Sequence, residues 1–222
     1  GMDRKKNKIQ KWIFGLLSLV IILPVYASFD EKLIDLHKTK FNKLAMDLRD
    51  YLELGYQETQ SVNAIANILE NEGFIIKKNV ANIPTAFIAE YGNGGPIIGI
   101  LGEFDALPGL AQTRATFREV ENNSTGAGQA CGHHLFGAAS AWAAVTIKDW
   151  LQENNIEGTI RFYGTPAEEG GSGKVYMVRA GLFKDVDIVF HWHPDDQNSA
   201  NIATNNSNKS AKFLFKGIST HA

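Results

Sequence analysis

With 222 residues, 44% of them hydrophobic and 21% charged, the chain has the size and balance of one large globular domain able to bury a core. A net charge of −2 with no basic stripe excludes a nucleic-acid partner. A single cysteine excludes an internal disulfide framework.

The N-terminus reads as a targeting segment. Gly1 ahead of Met2 reads as an appended residue. Arg4, Lys5, Lys6, Lys8 and Lys11 then form a basic run, Trp12–Leu23 carries no charge, and Pro24-Val25-Tyr26-Ala27 offers the small residues a signal peptidase needs. The apolar run is shorter than the roughly 20 residues that span a bilayer. Residues 1–27 are therefore expected to be the appended glycine and a secretory signal. The mature, exported chain (periplasmic or secreted) would begin near Ser28; an uncleaved membrane anchor is the alternative.

Apolar residues at helical spacing predict a helix within Phe29–Leu54 (Leu33, Leu36, Phe41, Leu44, Leu48, Leu52) and a second after Thr59 and Ser61 that ends at Gly73. Strands are predicted from Phe74 through Lys78 and over Thr85–Tyr91, with a turn at Gly92-Asn93-Gly94-Gly95. The continuous apolar run Pro96–Leu101 predicts a strand buried on both faces. A long polar loop follows over 109–130, then a buried Ala-rich helix over Leu135–Leu151. Gly158–Tyr163 reads as a strand, Ser172–Gly181 as a short helix, Val186–Phe190 as a further buried strand, and Ala211–Lys216 as the start of another strand. Alternating helices and buried strands predict an α/β sheet protein.

Chemistry-bearing residues collect at the ends of these segments. Glu103 and Asp105 follow the first buried strand, Glu168 and Glu169 the next, and His191 and His193 the last. The lone Cys131 stands two residues from His133, across a glycine that permits a tight turn. Taken singly, each feature has a plain structural reading: a buried thiol, a solvated acidic turn, a hydrogen-bonded histidine. Together at one edge of a sheet they supply S, N and O donors, a set that suits zinc and tolerates manganese or cobalt. Paired acids then have a use, one binding metal while its neighbour takes a proton from water.

The motifs Glu53-Leu54-Gly55-Tyr56-Gln57-Glu58, Gly102-Glu103-Phe104-Asp105-Ala106-Leu107-Pro108, Ala130-Cys131-Gly132-His133, Pro166-Ala167-Glu168-Glu169-Gly170 and His193-Pro194 resemble, in order, those of the zinc-dependent amidohydrolase and carboxypeptidase family. That family includes aminoacylases, indoleacetyl-amino-acid hydrolases and the aminobenzoyl-glutamate utilisation type. The resemblance implies a metallopeptidase-like α/β fold, a mixed sheet flanked by helices, and hydrolysis of N-acyl or aroyl amino acids with two divalent ions, zinc or manganese. It implies that Cys131, His133, Glu169 and His193 are metal ligands, with Cys131 as the bridge. Glu168 would be the general base, Asp105 a supporting carboxylate, and His221, in Gly217-Ile218-Ser219-Thr220-His221-Ala222, a lid histidine that reaches the substrate. His134 stands where relatives usually carry Asp or Asn. Residues 28–208 would be the N-terminal part of the catalytic domain and 209–222 the incomplete start of an α+β lid, through which the complete protein forms a homodimer. A truncated member that only binds metal or ligand is the alternative.

Overall fold

The computed structural model describes residues 31–122 and 125–200, with scattered positions between 204 and 217. The signal-like segment, His221 and much of 209–222 lie outside the described residues. Helix α1 (Lys32–Tyr51) buries Leu33, His37, Phe41, Leu44 and Leu48, one stripe at spacings of three and four. Helix α2 (Thr59–Asn71) buries Val62, Ile65, Ala66 and Leu69 in the same way. Helix α3 (His133–Glu153) is buried along most of its length. Ala138, Ala141 and Ala144 line its inward face, where small side chains let it lie close to α1 and the sheet.

Five strands form one mixed sheet: β1 (Ile75–Lys78), β2 (Phe87–Asn93), β3 (Ile97–Gly102), β4 (Gly158–Gly164) and β5 (Ile188–Phe190), in the order β1-β2-β4-β3-β5. The pairs β1/β2 and β2/β4 are antiparallel, whereas β3 runs parallel to β4 and to β5. Side chains alternate across the central strands as the pleat requires. Ile98, Ile100, Ile160 and Phe162 join the core under α1, α2 and α3. Leu101 and Tyr163 join a second core with Phe136, the short 3₁₀ turn Val80–Asn82 and Met177, which lies on a later helix, Gly173–Arg179.

The parallel register sets the position of the site. Gly102 lies opposite Gly164, so β3 and β4 end level with each other, and Phe190 of β5 lies opposite Ile100. The chain therefore leaves all three strands at one edge, carrying Glu103, Thr165 and His191 outward together. Thr165 ties this edge with its N–H and its hydroxyl, both donating to the Gly102 carbonyl at 2.9 and 3.0 Å.

Two expectations change. The strand predicted as buried over Val186–Phe190 is the exposed edge strand β5, with Ile188, Val189 and Phe190 40–55% exposed. Among the described residues it pairs on one side only, with β3, and an apolar run has the same composition at an edge as in the middle of a sheet. The strand predicted over Ala211–Lys216 lies partly outside the described residues, and the positions that are described carry no strand. Among the described residues no helix is long and apolar enough to cross a membrane.

Phe162 is fully buried against Phe87 between sheet and helices. Phe162→Ala is expected to lower the urea-unfolding free energy by about 3–5 kcal/mol. Ile75→Ala, at a side chain 77% exposed on the outer strand, is expected to change it by less than about 0.5 kcal/mol.

Candidate metal centre

His133, the first residue of α3, is the hub. Gly132 precedes it with φ of +80°, a left-handed conformation in which any other side chain would be strained, and Pro194 fills the space where a Cβ would stand. This turn aims Cys131 and His133 at the same region. The long loop before it is folded back on itself: Leu107 and Gly128 exchange backbone hydrogen bonds, and the Gln129 amide donates to the Phe104 carbonyl at 3.1 Å. Cys131 is thereby delivered to the end of β3.

The ring of His133 is fully buried, held at Nδ1 and faced by carboxylates at Nε2. Nδ1 lies 2.9 Å from Asp105 Oδ1 and 3.1 Å from the Asp105 carbonyl. Nε2 lies 2.9 Å from Glu103 Oε2, 3.8 Å from Glu169 Oε1 and 3.9 Å from Glu168 Oε2. The second oxygen of Asp105 accepts from the Glu169 N–H at 3.0 Å, which fixes the one-turn helix α4 (Glu168–Gly171) over the hub. The adjacent carboxylates thus stand on this turn, beyond the end of β4 rather than on the strand itself.

His193 comes from the segment after β5. Phe136 of α3 packs edge-on against His191 and His193, and the Trp192 indole N–H donates to Ser140 Oγ at 2.9 Å. His193 Nδ1 faces the Pro194 carbonyl at 2.8 Å, leaving Nε2 3.3 Å from Cys131 Sγ. Both His133 and His193 therefore have Nδ1 against an acceptor, which leaves Nε2 as the atom that can face a metal ion. The structure gathers two overlapping sets of possible metal ligands, Cys131/His133/His193 and Glu103/His133/Glu168.

The electrostatics call for a cation. Burial drives the Cys131 thiol up, and its bond to Glu169 and the nearby carboxylates add to this, to about 12. Burial opposes the charge on His133, yet Asp105 and Glu103 outweigh it and push its pKa up to about 10. Glu168 is raised, first by burial and then by the charges of Glu103 and Glu169. Three buried atoms, Glu103 Oε2, His133 Nε2 and Glu169 Oε1, have no hydrogen-bond partner, although buried polar atoms are rarely left so. The donor types and orphaned atoms fit a divalent ion, which would satisfy all three and convert the thiol to a ligand thiolate.

A model of peptidase family M20/M25/M40 matches residues 99–207. Over these residues the chain carries a peptidase M20 family domain. A subunit of the p-aminobenzoyl-glutamate hydrolase of Escherichia coli (strain K12) is 41% identical over 198 residues, covering 89% of this chain and 41% of that protein. The hippurate hydrolase of Campylobacter jejuni is 29% identical over 156 residues, covering 69% of this chain and 39% of its own. The chain thus spans about two fifths of the length of these curated relatives. Among solved structures, the Bacillus subtilis YXEP protein, described as a dinuclear metal-binding peptidase of the M20 family, superposes with a TM-score of 0.62 at 29% identity. That match covers 75% of this chain and 44% of the other.

As an M20 domain, the chain places six of its seven sequence-predicted site residues, Asp105, Cys131, His133, Glu168, Glu169 and His193, around one point. His221 lies outside the described residues. His134 belongs to neither set of possible ligands. Its pKa is pushed down to about 4 by burial and then by the charges of Arg49 and His133, and its own N–H donates to the Gln129 side chain. Three residues that the motifs did not single out as ligands also face the centre. They are Glu103; Lys174 of helix α5 (Gly173–Arg179), which pairs with Glu103 Oε1; and His191, 3.4 Å from the same oxygen.

The motif Glu53–Glu58 has a supporting role. Glu53 accepts the N–H groups of Gln60 and Ser61 at the start of α2, while its carbonyl accepts from Ala106 N–H. Gly55 lies so close to Ala167 that a Cβ would meet it at 2.9 Å. Glu58, fully buried, accepts the Ala167 N–H at 2.7 Å and so anchors the residue before Glu168. Burial raises the Glu58 pKa above its unfolded value. The folded state then binds more protons than the unfolded state, and stability falls as pH rises from the unfolded pKa through the folded one. Glu58→Gln keeps an acceptor for Ala167 without the charge. Its stability relative to the parent is expected to improve as pH rises above the ordinary glutamate range in urea unfolding; an unchanged difference would show that Glu58 is not strained by ionisation.

Proposed function

We propose that this chain is the metal-binding part of an amidohydrolase that cleaves N-acyl or aroyl amino acids, of the aminobenzoyl-glutamate kind. The observation that supports it most directly is the pair of histidines pinned at Nδ1, His133 and His193. They turn their Nε2 atoms toward Cys131 and a group of carboxylates at the ends of parallel strands. The activities named for the relatives, aminobenzoyl-glutamate and hippurate hydrolysis, both concern amides between an aromatic acyl group and an amino acid.

In this reading Cys131, His133, Glu169 and His193 hold two divalent ions, with zinc favoured by the thiolate and imidazole donors and manganese the alternative. When bound, the metal supplies Lewis acidity to the water and to the substrate carbonyl. Glu168 is the general base. Its side chain is 45% exposed, open to a substrate, and its pKa is raised by burial and by neighbouring acids toward the range a base needs. Its carboxylate takes a proton from the attacking water as the new C–O bond forms. It then returns that proton to the amide nitrogen as the C–N bond breaks. Asp105 holds the His133 tautomer and the Glu169 turn. His221 is assigned to contact with the substrate.

Export is proposed from the basic run and apolar segment of residues 2–27, and a homodimer through a lid domain from the family resemblance. The Escherichia coli relative is named as one subunit of its hydrolase, which supports an assembly of more than one chain.

Two measurements test the reading. Dialysis against a chelator is expected to abolish hydrolysis of p-aminobenzoyl-glutamate, and zinc or manganese to restore it. Glu168→Gln is expected to lower kcat about 100-fold or more while metal content stays at the parental level. Full turnover in Glu168→Gln would remove Glu168 as the base. Stoichiometric metal and substrate binding without product would make the chain a binding module instead.

A further inference from the structure

Glu103 is not among the four ligands assigned above, yet the residue is 2% exposed and its carboxylate is split between two environments. Oε1 is fully engaged: Lys174 Nζ makes a close ion pair with it, and His191 Nε2 lies 3.4 Å away. Oε2 is buried without a hydrogen-bond partner and points at His133 Nε2, 2.9 Å distant and likewise without one. Asp105 faces His133 Nδ1, so His133 Nε2 and Glu103 Oε2 are the two atoms left to face one ion. At this separation a cation held by one of the two atoms is within reach of the other. Zinc takes N and O donors at about 2.0–2.2 Å, so two ligands of one ion stand roughly 3 Å apart.

We propose that Glu103 is a ligand of the ion that His133 binds, coordinating through Oε2 alone, with Lys174 and His191 holding Oε1 out of the coordination sphere. This rests on the metal-hydrolase reading above but adds a carboxylate that the family resemblance does not assign. A glutamate serving only as the counter-ion of Lys174 would have no reason to bury its second oxygen unsatisfied, since that burial is costly. The arrangement also explains why a lysine, 27% exposed in its side chain, stands beside a cation site. It neutralises the oxygen that takes no metal and leaves the other to bind.

The test is metal binding rather than turnover. The chain and its Glu103→Gln and Glu103→Asp variants are titrated with Zn²⁺ against a chromophoric chelator, and with Co²⁺ followed by its visible absorption. Circular dichroism of the metal-free proteins serves as the fold control. Glu103→Gln removes the charge; Glu103→Asp keeps the charge and the pairing with Lys174 but draws the carboxylate back from His133, so it carries the test should the glutamine variant fail to fold. Both are expected to weaken Zn²⁺ binding about 10- to 100-fold and to alter the shape of the Co²⁺ spectrum. Parental affinity together with an unchanged Co²⁺ spectrum in both variants would overturn the assignment and leave the metal-hydrolase reading standing. A parental chain that binds neither ion would overturn both.

Discussion

Asp105 joins three segments that are far apart in the chain. One oxygen takes the proton side of His133, the other accepts the Glu169 N–H, and its carbonyl faces His133 again. The residue is 1% exposed, so these contacts act in a low-dielectric setting where a charged acceptor is strong if paired and costly if not. Every other feature of the centre depends on this link. It sets which nitrogen of His133 is free, and it sets the distance between that nitrogen and the Glu168–Glu169 turn.

The second support comes from below. The turn between α1 and α2 packs Gly55 against Ala167 and accepts the Ala167 N–H with Glu58, while Tyr56 reaches the Gly171 carbonyl with its hydroxyl at 2.5 Å. Ala167, Tyr56 and Ser172 all have positive φ, uncommon for residues with a side chain. Such backbone persists where surrounding contacts over-determine it. Here those contacts surround the turn that carries both glutamates. The helical layer is thus both core and jig: α1, α2 and α3 bury the sheet face, and the loops at their ends hold the acids at fixed spacing.

Charge explains why this geometry is poised rather than relaxed. Glu103, Asp105, Glu168 and Glu169 converge on a region where Lys174 and His133 are the nearby cations. Without an ion, the imidazole must carry the positive charge and the thiol must keep its proton, as the upward shifts of both show. A divalent cation reverses both, displacing the proton from the thiol and taking the lone pair of the ring. Burial and the neighbouring acids disfavour the ionised form of Glu168 as it stands, and a bound cation would offset this.

Much of this was legible in the amino-acid order. The spacing of Leu33, Phe41, Leu44 and Leu48 specified α1, because a buried stripe must repeat with the helical period. Cys131-Gly132-His133 specified a turn that brings thiol and imidazole together, because Gly132 alone takes a φ of +80° without strain. Glu103 and Asp105, two apart past a strand, can face one crevice as readily as form a solvated acidic turn, and in the fold both meet His133. That they grip opposite nitrogens of a single ring, that Lys174 claims one oxygen of Glu103, and that Glu58 anchors Ala167 were decided by tertiary structure. So was the exposure of β5, whose apolar run has the composition of a central strand. The physical reason is the same in each case. Local pattern fixes local backbone, whereas these contacts depend on strand order and parallel register, which only the assembled sheet sets.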